Sequence, residues 1–220
     1  MASRKKTVER PTTVLLVRHG KTPTTGTILP GRARGLQLSD EGRSQADRVA
    51  ERIAALPNPA SGRPSAVYAS PLERTVETAR PIARALGLRV RTERGLLECD
   101  FGEWTGAELA TLAKLKEWGQ VQRCPSGFRF PGGESFLEMQ ARMTSAIARL
   151  CARHRGETVV AVSHADPIKA AVAAASGTHL DLFQRLTVSP CSVSVVAYLD
   201  DGPHVLAVNS TGALAELAIQ

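Results

Sequence analysis

Apolar residues along this chain fall into two patterns. Short unbroken or alternating runs bounded by turn residues read as strands, and runs with a three-to-four-residue period read as helices. Thr13 to Val17, Ser65 to Ala69 and Glu157 to Ser163 are strands of the buried kind, and Leu88 to Arg91 alternates. Val193 to Tyr198 and His204 to Val208 read as a closing pair joined by an Asp-Asp-Gly-Pro turn. Ser39 caps a helix whose apolar stripe is Ala46, Val49, Ala50, Ile53 and Leu56. Ser70 is expected to cap the next, with Pro71 at its first position and Pro81 kinking it before Leu86-Gly87. Ala107 to Trp118 reads as helix and Cys124 to Gly133 as loop. Glu134 to His154 carries the stripe Phe136, Met139, Met143, Ile147 and Leu150. Pro167 to Ala175 and Leu180 to Leu186 read as shorter helices.

Strands alternating with helices predict an α/β three-layer sandwich: a mostly parallel sheet with helices on both faces and an antiparallel edge strand. The length, 220 residues, suits one domain over 13–220, following a basic flexible tail over 1–12. Residues 107–133 are read as a cap or lid segment within it. The strands near Val193 offer a surface for pairing in a homodimer.

The net charge of +7 changes this picture little. Basic residues are spread along amphipathic helices rather than gathered in a stripe with aromatics, which argues against nucleic acid as a partner. A basic surface attracts small acidic substrates. Cys99, Cys124, Cys151 and Cys191 are scattered, without metal-type spacing, and read as reduced thiols of a cytoplasmic protein. No apolar stretch is long enough to span a bilayer, and the N-terminus lacks the apolar segment of a signal peptide.

The chemistry gathers where strands end. Arg18 and His19 follow the first apolar run, and His164 follows the run ending at Ser163. Open α/β sheets bind ligands at the carboxyl ends of their strands. The Gly/Pro/Thr-rich loop from Gly20 to Gln37 is long enough to be functional. Arg74 sits early in the second helix, and Glu98, Asp100 and Glu103 share a glycine-punctuated acidic loop. A neutral imidazole can attack phosphorus, guanidinium groups fit phosphate oxygens, and a carboxylic acid can protonate a leaving alcohol.

Arg18-His19-Gly20 resembles the signature of the histidine phosphatase superfamily, the phosphoglycerate-mutase-like enzymes. Four further blocks follow in that family's order: Ala69 to Ala79, Glu98 to Gly106, Phe130 to Ser135 and Val162 to His164. The resemblance implies His19 as the phosphorylated nucleophile, with Arg18, Arg74 and His164 clamping the phosphoryl oxygens. Glu98 would be the proton donor and then the general base. Thr25, Lys21, Gly31, Arg32, Ser163 and Ala165 would contact phosphate or substrate, and neither a metal nor a cofactor is implied.

The chain departs from the family pattern at Lys21, where Glu or Gln is usual, and at Thr25, where an asparagine usually helps hold phosphate. Arg32 and Arg34 are extra arginines that either bind a second acidic group or face solvent. The neighbouring cations should keep His19 neutral, and bound phosphate should raise the pKa of Glu98. The function expected is a metal-independent phosphatase of a small phosphorylated metabolite, working through a phosphohistidine. The alternatives are a phosphomutase and a non-catalytic phosphate-binding protein.

Overall fold

The apolar runs become the strands of one sheet: β1 (Thr12–Arg18), β2 (Ala66–Ala69), β3 (Val90–Thr92), β4 (Thr158–Ser163), β5 (Val193–Leu199) and β6 (Gly202–Ser210). Their spatial order is β3-β2-β4-β1-β5-β6, in a computed structural model that describes residues 10–56 and 63–214. The first four strands pair in parallel, and β5 and β6 add antiparallel pairings. The tail expected over 1–12 lies mostly outside the described residues, and Thr12 already belongs to β1.

Helices α1 (Asp40–Ala54) and α2 (Glu73–Leu86) cover one face, and α5 (Phe136–Arg153) and α6 (Ala165–Ala175) cover the other. Because side chains alternate across a strand, Leu15 and Val17 of β1 enter the α1/α2 layer while Val14 and Leu16 enter the α5/α6 layer. Both faces being covered is why β1 and β4 read as continuous apolar runs. Ser39 caps α1 through the Gly42 amide, and Ser135 and Glu138 form a capping box on α5. The predicted stripe of α5, from Phe136 to Leu150, is buried throughout.

A third apolar cluster is built without any strand residue. Phe101, Trp104, Phe128, Phe130, Phe136 and Phe183 meet there, with Phe101–Phe130 centroids 4.8 Å apart and Phe130–Phe136 centroids 5.2 Å apart. This aromatic floor supports the acidic loop.

Several expectations need correction. The region 107–118 is not one helix. It contains α3 (Leu109–Leu112), followed by turns and then α4 (Trp118–Arg123). Helices this short have little cohesion of their own, and burial of Leu112 and Val121 in the aromatic cluster sets their path. Ser70 does not cap α2. That helix starts at Glu73 after Leu72, without a side-chain cap, and continues through Pro81. The third strand begins at Val90 rather than Leu88, and Leu180–Arg185 is a 3₁₀ helix. Of the two closing strands, β5 is paired on both sides and β6 lies at one edge of the sheet among the described residues, with β3 at the other. Among the described residues, no helix is long and apolar enough to cross a membrane.

Candidate active site

The parallel register of β1 on β4 places Arg18 opposite Ser163, so the residues that follow, His19 and His164, emerge side by side. The His19 amide donates to the Ser163 carbonyl at 3.0 Å, and the two imidazole centroids are 5.2 Å apart. Nδ1 of His19 lies 2.7 Å from the Gly20 carbonyl oxygen. A carbonyl only accepts, so Nδ1 carries the proton and Nε2 keeps its lone pair. Burial, followed by the charges of Arg74 and Arg18, holds the His19 pKa well below the ordinary histidine value. The ring is therefore a neutral imidazole with a free Nε2 lone pair in a cationic setting.

Arg74 comes from the first turn of α2 and is completely buried. One Nη donates to the Gly31 carbonyl at 2.7 Å. Gly31 has φ +49°, and a Cβ there would strike Thr105 and Phe101, so the carbonyl's position relies on glycine. Nε and the other Nη of Arg74, and Nε of Arg18, are buried without a hydrogen-bond partner among the described residues. Arg18 is otherwise anchored to the Val188 carbonyl at 2.7 Å. Buried guanidinium donors left unpaired are costly, and an anion with several acceptor oxygens would satisfy them.

Glu98 is the carboxylate that joins this group. Its Oε1 accepts from the Cys99 amide at 2.9 Å, and its Oε2 stands 3.9 Å from His164 Nδ1. Burial first, then the nearby charge of Asp166, pushes its pKa up to about 7, against the opposing pull of Arg74. His164 is itself held well below the usual histidine pKa by burial, Arg74 and His19, so its approach to Glu98 is a contact between a neutral ring and a carboxyl group. The other acidic residues of the loop are occupied or peripheral. Asp100 accepts from the Gly102 amide and pairs with Arg32, and Glu103 is exposed.

The remaining expected contacts divide. Gly31 and Ser163 belong to the site's frame, the Ser163 hydroxyl donating to the Leu96 carbonyl at 2.8 Å, and Ala165 opens α6 beside His164. Thr25 uses its hydroxyl within the loop, accepting from the Thr22 amide at 2.8 Å. Lys21 points away, to Glu41 on α1 at 2.8 Å. Arg34 is exposed, whereas Arg32 turns toward Glu98, Asp100 and Glu134.

Sequence reasoning missed four contributors. Ser70 bonds His164 Nε2 at 2.9 Å, and Thr78 accepts from the Gly20 amide at 3.0 Å. Asp166 places a second negative charge near Glu98, and Arg142 grips the acidic loop from α5. Helical spacing placed Thr78 one turn after Arg74, which was the available signal for it. Nothing local marks Arg142.

A family model described as the histidine phosphatase superfamily (branch 1) matches residues 14–211. A bifunctional protein of Mycobacterium tuberculosis is 33% identical over 93% of this chain and 55% of its own, so the chain spans about half the length of that relative. Phosphoserine phosphatase 1 of Hydrogenobacter thermophilus is 29% identical, over 94% of this chain and 96% of its own. Among solved structures, a phosphoserine phosphatase of Entamoeba histolytica in complex with phosphoserine superposes with a TM-score of 0.79. It is 25% identical, over 91% of this chain and 98% of that one.

Proposed function

Because this chain belongs to the histidine phosphatase superfamily, branch 1, we propose that it hydrolyses a small phosphorylated metabolite through a phosphohistidine on His19. The observation that carries the reading is the meeting of an Nε2 lone pair on His19 with unpaired, buried guanidinium donors of Arg74 and Arg18. His19 Nε2 bonds to phosphorus as the bond from phosphorus to the ester oxygen breaks. Arg18, Arg74 and His164 hold the phosphoryl oxygens, so side chains supply the positive charge. Glu98, protonated below about pH 7, gives its proton to the departing alcohol. Its carboxylate then takes a proton from water, whose oxygen bonds to phosphorus as the phosphorus–nitrogen bond breaks. The unbridged cysteines support a cytoplasmic setting.

The test is phosphate release from p-nitrophenyl phosphate in EDTA by the wild type and by His19→Ala. Phosphoserine heads the panel that follows, because two relatives are phosphoserine phosphatases. Turnover by the wild type and loss in the variant support the reading. Transfer of the phosphoryl group to a second alcohol without phosphate release would replace it with a mutase. No acid-labile phosphoenzyme with any substrate would leave a binding protein.

A further inference from the structure

We propose that Arg142, Glu134 and Arg32 form a clamp that positions Glu98 for proton transfer. This inference rests on the role given to Glu98 above. Arg32, expected to contact substrate, instead turns to the acidic loop, and each of the three acts through that loop's backbone.

The geometry converges on one atom. The Glu98 carbonyl oxygen accepts from Arg32 Nε at 2.9 Å and from Arg142 Nη2 at 3.2 Å. Arg142 Nη1 also donates to the carbonyls of Gly95 and Leu97, at 2.8 and 2.9 Å. One guanidinium thus ties together three carbonyls of a segment that has only a single 3₁₀ turn, Arg94–Leu96, of its own. Two arginines brought together need a counter-charge, and Glu134 provides it. Its carboxylate meets Arg142 Nε and Nη2 at 2.8 and 2.9 Å, and Arg32 Nη2 at 2.8 Å. It also accepts from the Asp100 amide at 3.1 Å, gripping the loop on the far side of Glu98.

The clamp reaches the phosphate cradle through a single peptide unit. Gly31 gives its carbonyl to Arg74, and the next residue, Arg32, gives its Nε to the Glu98 carbonyl. The spacing between cradle and acid is therefore fixed by two adjacent residues. Proton transfer to a leaving oxygen needs hydrogen-bond reach, and an error near one ångström costs much of the rate. A clamp on the acid's own backbone is a direct way to hold that reach.

The experiment compares two phosphate esters that differ in their need for an acid. Phenyl phosphate requires a proton on the departing oxygen, while dinitrophenyl phosphate leaves as a stable phenolate. Rapid-quench measurement of His19 phosphorylation is made on wild type, Glu134→Gln and Arg142→Lys. Arg32→Ala, at a partly exposed position, serves if an α5 variant fails to fold. The expected result is a fall of about tenfold or more with phenyl phosphate and a change within about threefold with dinitrophenyl phosphate. Lysine should fail to rescue Arg142, because one ammonium cannot span three carbonyls in a planar fork. Equal losses with both esters, or an unchanged rate with phenyl phosphate, overturn the clamp. A wild type that forms no phosphoenzyme with either ester removes the proposed function itself, and this inference with it.

Discussion

Nδ1 of His19 donates to the carbonyl oxygen of Gly20, the next residue, across 2.7 Å. A single backbone acceptor thus selects the tautomer and leaves Nε2 free, while the surrounding burial and guanidinium charges oppose protonation of the ring. Glu98 is tuned the other way, its pKa pushed up to about 7. A neutral imidazole and a protonated carboxyl group, the pair that the proposed mechanism requires, coexist in mildly acidic solution.

The pH dependence of kcat/KM for an unactivated phosphate ester follows from this pair. The acid limb, from His19, should lie below the ordinary histidine pKa, and the basic limb, from Glu98, near pH 7. Asp166 is the second cause of the Glu98 shift, after burial. In Asp166→Asn the basic limb should therefore move to lower pH, while the acid limb keeps its place. A profile whose basic limb is unmoved in that variant would show that Asp166 does not tune Glu98.

The same shift makes Glu98 a stability liability at alkaline pH. Its folded-state pKa, about 7, lies above the unfolded value of 4.5, so ionisation opposes folding. The stability conferred by the buried neutral acid is complete below about pH 4.5 and lost as pH rises through 7. The full effect is on the order of 3 kcal/mol. Glu98→Gln, neutral at every pH, should be more stable than wild type at pH 8 and close to it at pH 4, with little activity. Urea unfolding at the two pH values checks this, and parallel curves for the two proteins would contradict it.

Gly42, in the first turn of α1, packs against the strand end that carries His19. A Cβ there would lie well inside van der Waals contact distance of the Lys21 carbonyl oxygen. That carbonyl also accepts from the Ser39 amide and hydroxyl, so it has little freedom to move aside. Gly42→Ala should cost about 3 kcal/mol in chemical denaturation. It should also lower phosphoryl transfer, because the displaced backbone is two residues from His19. Wild-type stability in this variant would mean that the α1 end is more compliant than its packing indicates.

The apolar runs of β1 and β4, the stripes of α1 and α5 and the strand-end positions of His19 and His164 were all legible in the sequence. Each depends on local periodicity and on turn residues close by, information a short window contains. The sequence also named Arg74 and Glu98, through blocks that resemble a family. Tertiary structure decided what those residues touch. Only the β1–β4 register brings the two histidines within 5.2 Å, and only packing on the aromatic floor breaks 107–118 into short helices. Ser70 left the expected cap of α2 for His164, Lys21 turned to Glu41, and Arg32 turned inward to the acidic loop. A polar side chain takes the nearest group able to satisfy it when buried, and that group usually belongs to a distant part of the chain. Arg142 reaches Glu98 from 44 residues away, a partnership that no local pattern encodes.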